Sequence, residues 1–305
     1  TLDRSSAASD VYKRQHPVSP QSRRPSPIVG RVETELRSVT VGDLTFDVRV
    51  GGPDRGPWVL LLHGFPVNGS CYDDVVPRLH ESGLRTIVPD QRGYSPGARP
   101  EGVEPYRLDH LVADAIGILD ALEVRYAILV GHDWGGIVAW HLAARHPDRF
   151  TGLVVASTGH PVATREALAN SDQRERSSYI KDFVTDGFEE KLLARDGVLL
   201  RRAGVTAEEL TPLTEPGALT PPLNWYRANF LGDIKATMSC PPVEIPTTMV
   251  WSDGDPALGR EQAVGSARYV YSDFRFCELP GIDHWIPQKA SAALASEIAL
   301  RSAVF

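Results

Sequence analysis

From residue 31 onward the chain alternates short, almost wholly apolar runs with helical stripes, and that alternation leaves few architectures open. Trp58 to Leu62 (WVLLL), Tyr126 to Val130 (YAILV), Leu153 to Ala156 and Thr247 to Trp251 (TTMVW) have the texture of strands covered on both faces. Thr86 to Val88 and residues 273–279 read as further strands, and residues 34–50 as two strands joined at the turn pair Gly42-Asp43. Between the strands, residues 107–122 place Leu108, Leu111, Val112, Ala115, Ile116, Leu119 and Leu122 at spacings of three and four, one helical face. Residues 136–145 follow a strand directly with a similar pattern; further helices are expected near 258–268 and from about 287. Eight strands alternating with helices predict an α/β fold, a mostly parallel sheet with helices on its faces. From 160 to 245 the alternation stops, and charge, Gly and Pro accompany helical fragments. Residues 159–245 therefore read as a helical cap inserted between two parts of a sheet domain, 31–158 and 246–305. Residues 1–30, with Ser, Pro and Arg but no apolar period, read as a disordered tail or non-native leader.

Composition narrows the function. Hydrophobic residues make up 42 % of the 305, enough to bury a sizeable core. A formal net charge of −7 offers no general counterion for nucleic acid or anionic lipid. No apolar run approaches the roughly 20 residues a bilayer requires. Cys71, Cys240 and Cys277 form no CxxC pair, and an odd count fits reduced thiols in a cytoplasmic setting. The histidines show no ligand spacing such as HExxH, and no Gly-rich phosphate loop occurs, so neither a metal nor a nucleotide cofactor is expected.

In open α/β sheets, sites form at the carboxyl ends of the strands. The strongest pattern there is GHDWGG, Gly131 to Gly136, between the strand YAILV and the helix GIVAWHLAAR. Small residues on either side of a strand-to-helix turn let it tighten until one side chain is exposed, the nucleophile elbow G-x-Nuc-x-G. Asp133 holds the nucleophile position. A carboxylate is already ionised; it displaces a leaving group from a tetrahedral carbon, giving an alkyl ester that water must then break. His284, in GIDHWIP after the last strand, is the candidate base. Asp255, in WSDGDPALG, is the candidate acid that orients it. Asp253 is an alternative two residues earlier, whereas Asp283 is a poor orienter because consecutive side chains diverge. Backbone amides of Trp134 and of Phe65, in HGFP, stand where oxyanion donors are expected. Asp90 to Gly93, His132 and His160 read as structural supports for these loops.

HGFP, DQRGYS, GHDWGG, the acid loop and GIDHW occur in the order and spacing of the α/β-hydrolase superfamily, and residues 31–305 resemble its epoxide hydrolase branch. The resemblance implies an α/β-hydrolase fold with a helical cap, no cofactor, and a small epoxide and water as partners. It implies neither nucleic acid nor a membrane as partner, and a homodimer is left open. Within LNWYR it implies that Tyr226 is one of two ring-opening tyrosines; the second is matched by Tyr179 in RSSYIKDF. A strained ring leaves as an alkoxide, to which a phenol can donate a hydrogen bond and then a proton. The acid loop departs from the usual G-x-x-D, with Ser252 in place of Gly and two acids in competition. Some relatives carry the acid after the sixth strand, but here that position reads Ser157-Thr158, which favours Asp255. The implied reaction converts an epoxide to a vicinal diol. One rival is a haloalkane or haloacid dehalogenase, which needs halide-stabilising donors, commonly Trp or Asn where this chain has Phe65. A second is a non-catalytic relative, which commonly lacks a triad member; here all are present.

Overall fold

The computed structural model describes residues 34–303 apart from Asp233, so the reading of residues 1–30 as a tail or leader lies outside the described residues. Eight strands form one sheet: β1 (Glu35–Val41), β2 (Leu44–Gly51), β3 (Trp58–Leu62), β4 (Arg85–Pro89), β5 (Ala127–His132), β6 (Phe150–Ala156), β7 (Thr247–Ser252) and β8 (Phe274–Leu279). Their spatial order is β1-β2-β4-β3-β5-β6-β7-β8. β2 runs antiparallel to both its neighbours; every pairing from β4 to β8 is parallel. All side chains of β5 and β7 are buried, as strands with helices on both faces must be.

Helices α1 (Val76–Glu81), α2 (Leu108–Ala121) and α3 (Trp134–Arg145) connect β3 through β6. The apolar stripe expected on α2 is the face it buries, with Ile116 and Leu122 at its half-buried edge. α3 starts at Trp134, two residues before the stripe suggests: Gly135 and Gly136 are weak helix formers, but the tight turn ends at Asp133 and the helix begins at once. β5 starts one residue after Tyr126, whose ring stays exposed beside the Arg125 guanidinium.

Between β6 and β7 the described residues form helices: α4 (Pro161–Ala167), α5 (Ser171–Arg176), α6 (Ile180–Phe183), α7 (Phe188–Arg202), α8 (Ala207–Leu210), α9 (Thr220–Tyr226) and α10 (Ile234–Thr237). α7 is broken at Ala194–Gly197, and Arg227–Gly232 continue α9 as π-helix. β7 leads to α11 (Arg260–Gly265), and α12 (Ile286–Lys289) and α13 (Ser291–Ser302) follow β8. Among the described residues no helix is long and apolar enough to cross a membrane.

The strand order positions the site. From β3 the chain steps outward to β4, then crosses to β5 on the other side of β3, so the connections diverge between β3 and β5. Leu62 pairs with Gly131, which sets the loop after β3 beside the loop after β5. That crevice is where open α/β sheets place ligands. Beyond β5, in order, lie the ends of β6, β7 and β8.

Four histidines brace this end of the molecule: His63, His132, His141 and His160 are completely buried. Each has one ring nitrogen within reach of a backbone carbonyl, those of Gly64, His284, Thr237 and Pro241 respectively. Burial pushes all four pKa values down to about 4, since charge has no water to meet there. An unfolded histidine titrates near 6.5, so between about pH 6.5 and 4 the unfolded chain binds more protons and stability must fall with pH. Each residue contributes at most about 3 kcal/mol to that loss. The melting temperature should therefore drop steeply between about pH 6.5 and 4.5. A flat profile over that interval would mean the four side chains are not held neutral.

Candidate active site

Asp133 sits at φ +53°, ψ −120°, a conformation that costs a non-glycine residue on the order of 1–3 kcal/mol. Its surroundings hold it there. The amides of Gly136 and Ile137 donate to the Asp133 carbonyl at 2.9 and 3.2 Å, and the Thr158 hydroxyl donates to the same oxygen at 2.8 Å. Close packing leaves no slack: a methyl on Gly135 would overlap the Leu62 carbonyl, and one on Gly64 would strike the Asp133 side chain. This is why the turn reads glycine where it does.

The two oxygens of the Asp133 carboxylate have different partners. Oδ1 accepts from the Phe65 amide at 2.8 Å; Oδ2 lies 3.5 Å from Nε2 of His284. Trp134 opens α3, where backbone N–H groups have no intrahelical acceptor. Of the two amides expected as oxyanion donors, that of Phe65 contacts the carboxylate and that of Trp134 follows it in the chain.

His284 lies between two acids. Nδ1 is 2.8 Å from Oδ2 of Asp255, a completely buried carboxylate whose Oδ1 accepts from the amides of Ala257 and Leu258. The competing acids are occupied elsewhere: Asp253 accepts from the Gly281 amide, and Asp283 from the Trp285 amide and Lys289. Burial opposes charge on His284, but the carboxylates of Asp255 and Asp133 outweigh it and hold the imidazole well above its ordinary pKa. Burial likewise works against the charges of Asp133 and Asp255, and His284 with the backbone donors reverses it, leaving both below the usual carboxylate range.

Tyr226 at the end of α9 and Tyr179, just before α6, face the same space, with ring centroids 6.3 Å apart. Tyr226 packs edge-on against Trp134 and Phe65 at 5.1 and 5.3 Å. Burial, reinforced by Asp133, pushes both phenols above their ordinary pKa, so both carry protons at neutral pH. Asp133, Trp134, Tyr179 and Tyr226 line one cavity of about 410 Å³ whose remaining wall includes Leu168 and Phe230. That is the size of pocket that encloses a small organic molecule. Phe65 and His284 contact Asp133 at the edge of this cavity and Asp255 lies behind His284, whereas Asp253 and Asp283 have other partners.

Four residues support the site from behind, and of these only His132 is expected in that role from the sequence. The Arg176 guanidinium on α5 donates to the Asp255 carbonyl at 2.6 Å, across a separation of 79 residues. The His284 carbonyl receives the His132 ring at 2.9 Å and the Ser157 hydroxyl at 3.3 Å. Thr158 stabilises the bend at Asp133, so the pair after β6 serves the site without supplying an acid.

The family described as alpha/beta hydrolase fold matches residues 57–286. The AB hydrolase superfamily protein YfhM of Bacillus subtilis is 34 % identical over 268 residues, covering 83 % of this chain and 93 % of that protein. Epoxide hydrolase 3 of Xenopus tropicalis is 32 % identical over 266 residues, covering 80 % of this chain and 71 % of the relative. Among solved structures, one of the epoxide hydrolases found in metagenomes from hot environments superposes with a TM-score of 0.76 at 28 % identity, covering 88 % of this chain and 99 % of that one.

The geometry distinguishes the two acids of the loop. Asp255→Asn removes the largest influence raising the His284 pKa and should lower it substantially, whereas Asp253→Asn should leave it in place. Titration of the imidazole signals by NMR checks both. A larger shift in the Asp253 variant would reverse the assignment of the partner.

Proposed function

The chain belongs to the α/β-hydrolase fold family and, within it, to the epoxide hydrolases, and from that premise we propose that it converts small epoxides to vicinal diols through an ester on Asp133. The observation that carries this reading is the carboxylate at the bend, facing two protonated phenols across an apolar cavity with an imidazole behind it.

With Oδ1 held by the Phe65 amide, Oδ2 is the attacking oxygen. It forms a bond to a ring carbon while the ring C–O bond breaks, and a phenol of Tyr226 or Tyr179 supplies the proton to the departing oxygen. The products of this step are a neutral 2-hydroxyalkyl ester and a phenolate. Esterification also cancels the Asp133 charge, one of the two influences that kept His284 protonated. Its pKa falls, and its proton can return through solvent to the phenolate. A histidine that begins as a cation is thereby made a base by the first step. It then takes a proton from water, whose oxygen adds to the ester carbonyl. The resulting oxyanion is the former Oδ1, beside the Phe65 and Trp134 amides, where such donors are worth about 3–4 kcal/mol. Collapse expels the diol, protonated by His284, and leaves one solvent oxygen in Asp133.

The phenols also weigh against halide displacement, because a halide leaves without needing a proton, whereas an opened ring does not. The three free cysteines, two of them buried, support a reducing, cytoplasmic setting.

Asp133→Ala should abolish diol formation from styrene oxide while the melting temperature stays near that of the parent; diol formed at the parent rate would refute the scheme. Turnover in heavy-oxygen water should place label in the Asp133 side chain by mass spectrometry. Loss of the Asp133 charge on alkylation also has a pH signature. In single-turnover measurements, ester hydrolysis should lose rate at a lower pH than that at which His284 titrates in the free protein. Coincident midpoints would show that esterification does not change the imidazole.

A further inference from the structure

The two tyrosines that face Asp133 are held in different ways. Tyr226 ends α9, and the residues around it are bonded to residues 92–108, between β4 and the start of α2. The Asn224 side-chain amide donates to the Gly102 carbonyl at 3.0 Å, the Trp225 indole donates to the Arg92 carbonyl at 2.9 Å, and Asn229 accepts from the Leu108 amide at 2.8 Å. Tyr179 precedes α6, a helix of four residues, and so short a helix keeps its place only through tertiary bonds. Its segment is fixed at both ends. At the near end, the Gln173 side chain donates to the Ala257 carbonyl at 2.9 Å and accepts from the Gly259 amide at 2.8 Å. At the far end stands Arg227, the residue after Tyr226. Its two terminal nitrogens donate to the two oxygens of the Glu189 carboxylate at 2.8 and 3.0 Å, and one of them also donates to the Thr185 carbonyl at 3.1 Å. The other donates to the Asn224 side chain at 3.1 Å, which ties the guanidinium back to α9. The side chains of Arg227 and Glu189 are 6 % and 16 % exposed, and two parallel bonds fix a direction as well as a distance. Burial opposes charge on Glu189, but the guanidinium outweighs it and holds the carboxyl below its usual range. Asp186 stands 4.0 Å from the same guanidinium but is exposed and adds little.

Between these ends, α6 lays Phe183 against Tyr226 with centroids 5.1 Å apart, and Tyr179 stands 6.3 Å from Tyr226. A buried ion pair adds little net stability over apolar packing, so its place at this junction points to geometry. We propose that Arg227 and Glu189 are positioning residues for ring opening: anchored through α9, they hold α6 so that the Tyr179 phenol reaches the same epoxide oxygen as Tyr226. This rests on the proposed reaction for what the phenols do, but not for what the pair holds.

Two variants test the pair, each with its melting temperature as the control for folding. Glu189→Gln keeps the shape of the side chain and removes its charge; Arg227→Lys keeps the charge and loses the fork. In single turnover of styrene oxide, rapid-quench mass spectrometry separates formation of the Asp133 ester from its hydrolysis. Ester formation should slow about tenfold in either variant, while hydrolysis, which uses His284 and not the phenols, keeps the parent rate. Equal slowing of both steps, or slowing of neither, overturns the proposal. The two single-phenol backgrounds should respond differently. Glu189→Gln should leave ester formation unchanged in Tyr179→Phe protein and slow it about tenfold in Tyr226→Phe protein. The same loss in both backgrounds overturns the proposal and leaves the reaction standing. Wild type that forms no ester overturns the proposed reaction instead, and amide hydrogen exchange then decides the role of the pair by itself. In Glu189→Gln protein, exchange of residues 180–188 should quicken about tenfold, while that of α9, anchored separately, stays at the parent rate. Exchange unchanged in both segments, or raised alike in both, overturns the role of the pair whatever the chemistry of the ring.

Discussion

Two carboxylates share one imidazole, and most of the architecture at this end of the sheet serves that arrangement. Asp133, Asp255 and His284 follow β5, β7 and β8. Parallel strands end on the same side, so three loops far apart in sequence converge at one end of the sheet. Bringing two negative groups beside one ring is costly unless the ring is charged, and a charged ring is costly when buried. The three groups resolve the conflict together: each carboxylate falls below its usual range because the imidazole rises. Such a cluster has one net negative charge, and removing it from Oδ2 changes the acid–base character of everything attached.

Rigidity around the cluster follows from the same demand. The imidazole must be in reach of Asp133 without being free to rotate toward another acceptor. Asp255 holds one ring nitrogen, while the His132 ring and the Ser157 hydroxyl hold the backbone of His284 from below. His132 can serve only as a neutral donor, which its complete burial ensures. Asp255 is fixed in turn by the amides of Ala257 and Leu258 and by Arg176 reaching in from α5. The helices over the sheet therefore do more than enclose a cavity: one of them buttresses the acid.

Sequence made the scaffold legible to within about three residues, β6 starting at Phe150 rather than Leu153, because continuous apolar strands and a 3.6-residue stripe are local signals. β3, β7 and α2 were readable for that reason. The elbow was legible too: Gly131 and Gly135 mark a turn whose packing tolerates no side chain, and such a requirement appears directly as residue type. Asp255 and Asp253 could be ordered only by offset, since which acid meets a ring 29 residues away depends on the path of two loops. Tyr179 stood apart for a related reason. Its segment is short helices with no long period, and nothing local distinguishes a tyrosine that faces a cavity from one that faces water. Arg176 shows the limit most clearly, because its acceptor is a backbone carbonyl, which any residue type could provide.

The cavity itself follows from what the helices between β6 and β7 bury. Packing of α5, α6 and α9 against the sheet ends forms a tight aromatic group, with Phe65, Phe183 and Tyr226 about 5 Å apart. These rings close off the side of Asp133 where the phenols stand. The wall carrying Arg174, Ser177, Ser178 and Lys181 is open by comparison, with its cations in contact with water.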